Sequence, residues 1–397
     1  MGMVHIVADD ALAESRLRDL VNLTRENGAS FHAEIKIVST KGDLRIDSKL
    51  ERSNNDPLIY MPDCCLPRLD DFEVNLEGND LAFRPRSNKV SRLHTELFGM
   101  ILELFNLTGK IEAHKQMFPW LVFANSGNIL ECLHQGRSVS DKYYNSFKAG
   151  DLERLTIESF LGARYVNHTY QDGHGMKAAL MPIIDCLNHH SFASTYLDAS
   201  PDPEVKDGLM VRNSKPLENS DECFVRYNKA DALSAYMSYG FVDMSASVLR
   251  SIPLTVALPG AGKIHVHAYT FPKNAAQIPA GFEDIGYFFP DVRRTGKQEL
   301  QVSHFMIPPD GAPRALRRIL EFLIAILSPD LSKKELRRLV RKSETQILED
   351  NYRYYDRLQG LLDSGRGKAV SAENIAVLNQ LIRVQRDKLH AYSKRKL

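Results

Sequence analysis

The sequence predicts an α+β protein. A β-rich N-terminal domain spans residues 1–248 and is interrupted by a helical insertion at about 90–165; a mostly helical domain follows over 249–397. Three observations carry this. Residues 31–67 alternate with the short period of strands, in EIKIV, LRI and PLIYMP separated by the turn-rich TKGD and SNND. LHTELFGMILELFNL has a strong apolar face at helical spacing. From residue 313 onward the chain reads as helix, with Leu316, Ile319, Leu320, Leu323 and Ile324 on one face. At 397 residues and 43% hydrophobic content the chain is long enough to bury a large core in two or three domains.

In order, residues 10–28 place apolar side chains at 13, 17, 20 and 21, a helix that Asn27 and Gly28 stop. A small antiparallel sheet is expected over 31–67, then the helical insertion, which holds the only tryptophan in FPWLVF. MPIIDCLNHH follows, and beyond the loop DASPDPEVKDG the stretches GLMVRNS and ECFVRYN read as strands. SIPLTVALPGAGKIHVHAYTF is two alternating runs joined by a Pro-Gly-Ala-Gly turn, a hairpin. Its GAGK lacks the first glycine of a phosphate loop, and Ile264 stands where Ser or Thr belongs. Ser332 and Glu335 form a capping box for the next helix.

Lys plus Arg is 51 and Asp plus Glu is 50, so no net field commits the chain to nucleic acid or to an anionic membrane. Five cysteines without CxxC spacing indicate neither a disulfide framework nor a zinc knuckle. The N-terminus shows no signal peptide, and the apolar run Phe322 to Leu327 is too short to span a bilayer. The expectation is an intracellular, cytoplasmic monomer in a reducing compartment. His168, His174, His189 and His190 lack the grouping of metal ligands, and His265 and His267 share a strand face without a third partner, so no metal is expected.

Residues 181–191, MPIIDCLNHHS, end an apolar run on Asn188, His189, His190 and Ser191. As bare residues they fit a polar turn, a metal site, a catalytic base or a ligand contact. Arg164 in LGARYVNH precedes the run, and FVRYNKADALSAYMSYGFVD follows it with Tyr227, Tyr236, Tyr239, Gly240 and Phe241 close together. This order of parts resembles the SET-domain protein methyltransferases of the Rubisco large-subunit lysine methyltransferase and actin-histidine methyltransferase type. There an apolar run ends D-x-x-N-H, a strand ends in Y-G, and a short helix closes in Y-G-F. Asn228 replaces the glycine after the tyrosine, and the family's Gly-x-Gly-Leu turn becomes Lys41-Gly42-Asp43-Leu44.

The resemblance implies S-adenosylmethionine as cofactor and S-adenosylhomocysteine as product. Tyr227 would be the catalytic tyrosine, with Arg164, Asn188, His189, Phe241 and Gly42 binding the cofactor, Arg164 through its carboxylate. Tyr196, Val166, Tyr236 and Tyr239 would line the site of a protein substrate docked partly on the C-terminal helical domain. Val166 is apolar where the histidine-modifying relative carries a polar residue, which favours a lysine target. Each assignment has a duller counterpart: core tyrosines with satisfied hydroxyls, an arginine finishing its helix, an asparagine in a turn. The basic run from Arg314 to Lys342 reads first as a solvated helix face. A silent SET-fold binding protein, a protein-histidine methyltransferase and a metal-dependent hydrolase are the alternatives.

Overall fold

The computed structural model describes residues 4–51, 56–137, 141–170, 175–194, 207–228, 230–267, 278–309, 314–364 and 370–395. The chain packs as two compact units that interleave in sequence. Residues 1–116 and 150–229 form the first, and 117–149 with 230–397 form the second. Packing therefore divides the chain elsewhere than at the expected boundary of 248/249: the middle of the helical insertion and residues 230–248 belong to the second unit.

The first unit is built on a five-stranded sheet in the order His5–Ala8, Ile35–Thr40, Asp43–Ser48, Glu222–Val225, Asn188–His189. The outer pairs are parallel and the inner ones antiparallel. The hairpin between its second and third strands turns on Lys41 and Gly42, both at positive φ (+51° and +77°), as a two-residue loop between twisted strands requires. A Cβ on Gly42 would lie 2.5 Å from the Thr108 carbonyl oxygen, so no other residue fits that turn without movement. The expected single sheet over 31–67 is in fact divided. Pro57–Met61 leaves the main sheet and pairs with Ser30–Phe31 and Leu209–Arg212 in a second one. His5–Ala8, too short for its alternation to register in sequence, is an edge strand.

Helix Ala11–Glu26 begins on Asp10, whose carboxylate accepts the Ala13 N–H at 2.8 Å, and lays Ala13, Leu17, Leu20 and Val21 into the core. Arg92–Leu107 contributes Leu97, Phe98, Ile101 and Phe105 to the same core.

In the second unit Leu254–Leu258, Gly262–Val266, Glu299–Val302 and Val292–Gly296 form a four-stranded sheet, so the C-terminal region opens with β-structure before it becomes helical. The first two strands are the expected hairpin. Helices Ala315–Leu327, Lys333–Asp363 and Ala372–Arg395 follow, and Ser332 and Glu335 close the capping box at the start of the longest. Arg137, wholly buried, pairs with Asp231, the residue that caps helix Ala232–Tyr239.

Candidate functional site

Strand Met176–Leu180 carries the chain into Met181 and Pro182, and the direction then changes sharply. The Ile184 N–H donates to the Pro182 carbonyl at 2.6 Å, closing a three-residue turn around Ile183 at φ +62° and ψ −41°. A β-branched side chain at positive φ is strained by about 1–3 kcal/mol. That turn is held in place by its surroundings: Ile183, Ile184, Cys186 and Leu187 are all buried in the first unit's core. One short 3-10 turn later, Asn188 and His189 enter the main sheet as a parallel strand opposite Phe224 and Val225. The pair is thus a strand, and the turn reading of Asn188 falls.

Because Asn188–His189 and Glu222–Val225 are neighbours, the residues just past their ends meet. The Tyr227 N–H donates to His189 Nδ1 at 3.0 Å, which places the ring proton on Nε2, and the two rings lie 5.1 Å apart. The Tyr227 hydroxyl donates to the Leu187 carbonyl at 2.8 Å. Tyr227 is thereby held at its backbone and at the tip of its side chain. The Asn188 amide donates to Glu222 at 2.8 Å. Burial raises the Glu222 carboxyl above its usual range, and the Asn188 bond pulls it back in part.

Arg164 follows helix Leu152–Gly162, its guanidinium 4.1 Å from the Phe160 ring centre and 5.4 Å from that of Phe105. Among the described residues its buried Nε has no hydrogen-bond partner, and its nearest carboxylate oxygen, on Asp185, is 3.8 Å away. Lys110 stands in the same neighbourhood, its Nζ 3.8 Å from Asp43. Burial first and then Arg164 hold the Lys110 ammonium below its ordinary range. Burial pushes Asp185 up to about 6, with Arg164 and Lys110 pulling the other way. His114 bonds Ser159 at 2.8 Å and is pushed down to about 3 by burial and then by Arg164, so it stays neutral and adds no third cation.

Among the sequence-predicted residues, then, Asn188, His189 and Tyr227 are directly bonded or one residue apart. Arg164 reaches the same segment through Asp185. Gly42 lies in the hairpin that presents Asp43, and its lack of a side chain serves the close approach to Thr108. Val166 is 3% exposed and packed into the first unit's core, so the structure closes it in rather than leaving it as an open wall. Tyr196 lies outside the described residues. Tyr236, Tyr239 and Phe241 belong to the second unit. Tyr236 is fully buried, and its hydroxyl has no hydrogen-bond partner among the described residues. Tyr239 and Phe241 stack at 5.9 Å around Gly240, which ends their helix in the left-handed region at φ +84°.

Lys110, Asp43, Asp185 and Glu222 were not singled out from sequence. Asp185 stood inside the quoted D-x-x-N-H pattern, which was a usable signal; Lys110, after Thr108-Gly109, carried none. Among the described residues no three His, Cys, Asp or Glu side chains are grouped to hold a metal ion. No helix is long and apolar enough to cross a membrane.

No known family model and no curated protein matches the chain. Among solved structures, the SET domain of LSMT bound to lysine and AdoHcy aligns over 97% of this chain and 94% of its own, at 14% identity and a TM-score of 0.38. Rubisco LSMT bound to AdoMet aligns over 96% and 93%, also at 14% identity, with a TM-score of 0.36.

Proposed function

We propose that the protein is an S-adenosylmethionine-dependent protein methyltransferase of the SET type that modifies a lysine side chain, with Tyr227 as its catalytic residue. The observation that carries this is the double anchoring of Tyr227, by the His189 ring at its N–H and by the Leu187 carbonyl at its hydroxyl, in the same unit as an arginine whose buried Nε has no hydrogen-bond partner among the described residues.

The residues fit the cofactor. Arg164 offers an unused donor to a carboxylate, and Asn188 and His189 offer an amide and a ring on one short strand. Held by these residues, the cofactor would supply an electrophilic methyl on a cationic sulfur for attack by a neutral lysine nitrogen, the carbon–sulfur bonding pair leaving with the thioether. The chain's part is alignment and exclusion of water. The Tyr227 hydroxyl donates its one proton to Leu187, so toward a methyl bearing positive charge it acts as an acceptor of weak C–H contacts. The half-buried site disfavours the ammonium form of an incoming lysine, whose free pKa is about 10.4. The choice of lysine rests on the sequence resemblance, since Val166 is closed into the first unit's core and does not line an open wall. The protein substrate docks partly on the C-terminal helices, and the enzyme acts as a monomer.

Incubation of the purified chain with radiolabelled S-adenosylmethionine and whole-cell protein should label a protein band whose modified residue is methyl-lysine. Tyr227→Phe should keep cofactor binding and lower transfer by about 100-fold. Turnover at the unaltered rate would remove Tyr227 from the mechanism.

A further inference from the structure

The four charges Arg164, Asp185, Lys110 and Asp43 form a set that does not close on itself. Both of its ion pairs stand at 3.8 Å, about 1 Å longer than a charge-assisted hydrogen bond. The Lys110 and Arg164 side chains are only 19% and 20% exposed, so neither cation is solvated as a surface charge would be. A mostly buried ammonium and guanidinium that stop short of their carboxylates are costly to leave so, and a purely structural pair would close to contact. The chain goes to some length to place Lys110 there. Gly42 lets the hairpin touch the Thr108 carbonyl, and Gly109, at φ +62°, then turns the backbone so that Lys110 meets Asp43.

Two cations and two carboxylates, paired at 3.8 Å and so out of hydrogen-bond reach, with Asp185 22% and Asp43 60% exposed, match a small group that carries one charge of each sign. We propose that Lys110 is a second cation for the cofactor's carboxylate, completing with Arg164, Asp185 and Asp43 a four-charge socket for the zwitterionic amino-acid end of that molecule. The ligand's carboxylate accepts from Arg164 Nε and Lys110 Nζ, and its ammonium donates to Asp185 and Asp43. Nothing in the sequence pattern that suggested the cofactor includes Lys110. The inference rests on the methyltransferase reading for the identity of the ligand, and on the geometry alone for the kind of group the socket takes.

The test is calorimetric and needs no turnover. The full chain is titrated with S-adenosylhomocysteine and with 5′-methylthioadenosine, which has the same nucleoside and sulfur but no amino-acid end. Lys110→Met should weaken S-adenosylhomocysteine by about 10- to 100-fold, the loss expected for one charged hydrogen bond. It should leave methylthioadenosine within about two-fold of the unaltered protein. Lys110→Arg, which keeps the charge, should retain S-adenosylhomocysteine within about five-fold. Equal weakening of both ligands by Lys110→Met, no weakening of either, or a loss in Lys110→Arg as large as in Lys110→Met would each overturn the inference while the methyltransferase reading stands. Failure of the unaltered protein to bind either ligand would overturn that reading, and the socket's assignment with it.

Discussion

Arg137 in the second unit and Arg164 in the first each face an aspartate, fully buried beside Arg137 and 22% exposed beside Arg164, and the two surroundings differ at every contact. Arg137 uses all five of its donors: on Ser234, on the carbonyls of Gly136, Ser251 and Arg250, and on Asp231 at 2.6 Å. Asp231 in turn accepts from Arg137, from the backbone N–H groups of Ser234 and Arg250, and from Gln385. Arg164 leaves its Nε unbonded, and its aspartate lies 3.8 Å off. The electrostatics follow the geometry. Burial alone would raise Asp231, but Arg137 and the bonds from Ser234 and Gln385 outweigh it and hold the carboxyl well below the usual range. At Asp185 burial wins and the carboxyl rises to about 6. A saturated buried pair fixes three segments of chain to one another; an unsaturated one keeps its bonding capacity for something else.

The largest expected difference is in stability. Arg137→Met should cost about 3–5 kcal/mol, because it strands a fully buried carboxylate. Arg164→Met should cost about 1 kcal/mol or less, since no hydrogen bond to a carboxylate is lost. Urea denaturation of the two variants compares them directly, and equal losses would erase the distinction between a closed pair and an open one.

The pH dependence should differ in sign. Asp231, with its native value depressed, contributes stability that is present above the unfolded value near 4 and is lost only as pH falls further. Asp185, with its native value raised to about 6, contributes stability that is full below about 4 and is lost as pH rises through about 6. Asp185→Asn should therefore flatten the decline in stability between about pH 4 and 6 by roughly 2–3 kcal/mol. Urea midpoints across that range provide the check, and a variant whose curve parallels the unaltered protein would place Asp185 in a solvated site. A small effect, about 1 kcal/mol, is expected from Ser234→Ala, for one neutral acceptor removed from the Arg137 Nε. A change within measurement error would mean that the network reorganises around the gap.

How much of this was legible in the residues depends on range. The helix over 11–26, the capping box at Ser332 and the 254–266 hairpin are local matters of period, cap and turn chemistry, and they stand where the spacing put them. Strand Pro57–Met61 could be recognised as a strand but not assigned to a sheet, because its partner Leu209–Arg212 lies some 150 positions away. Asn188, His189 and Tyr227 stand together in a motif read from the sequence, and in the structure a parallel strand pairing and a hydrogen bond bring them together. Tyr236 and Tyr239, close to Tyr227 in sequence, fold with the other unit, since the helix that bears them is capped by Asp231 and so tied to Arg137.

By itself the amino-acid order determined the elements, the apolar faces and the residue types gathered at the polar end of 181–191, because these depend on neighbours within a few positions. Only the tertiary structure decided which charges meet. Lys110, Asp43, Arg164 and Asp185 come from a helix start, a hairpin, a helix end and a 3-10 turn, and no periodicity links them. Electrostatic energy depends on distance through space, and that distance is set by packing long after the local pattern has done its part.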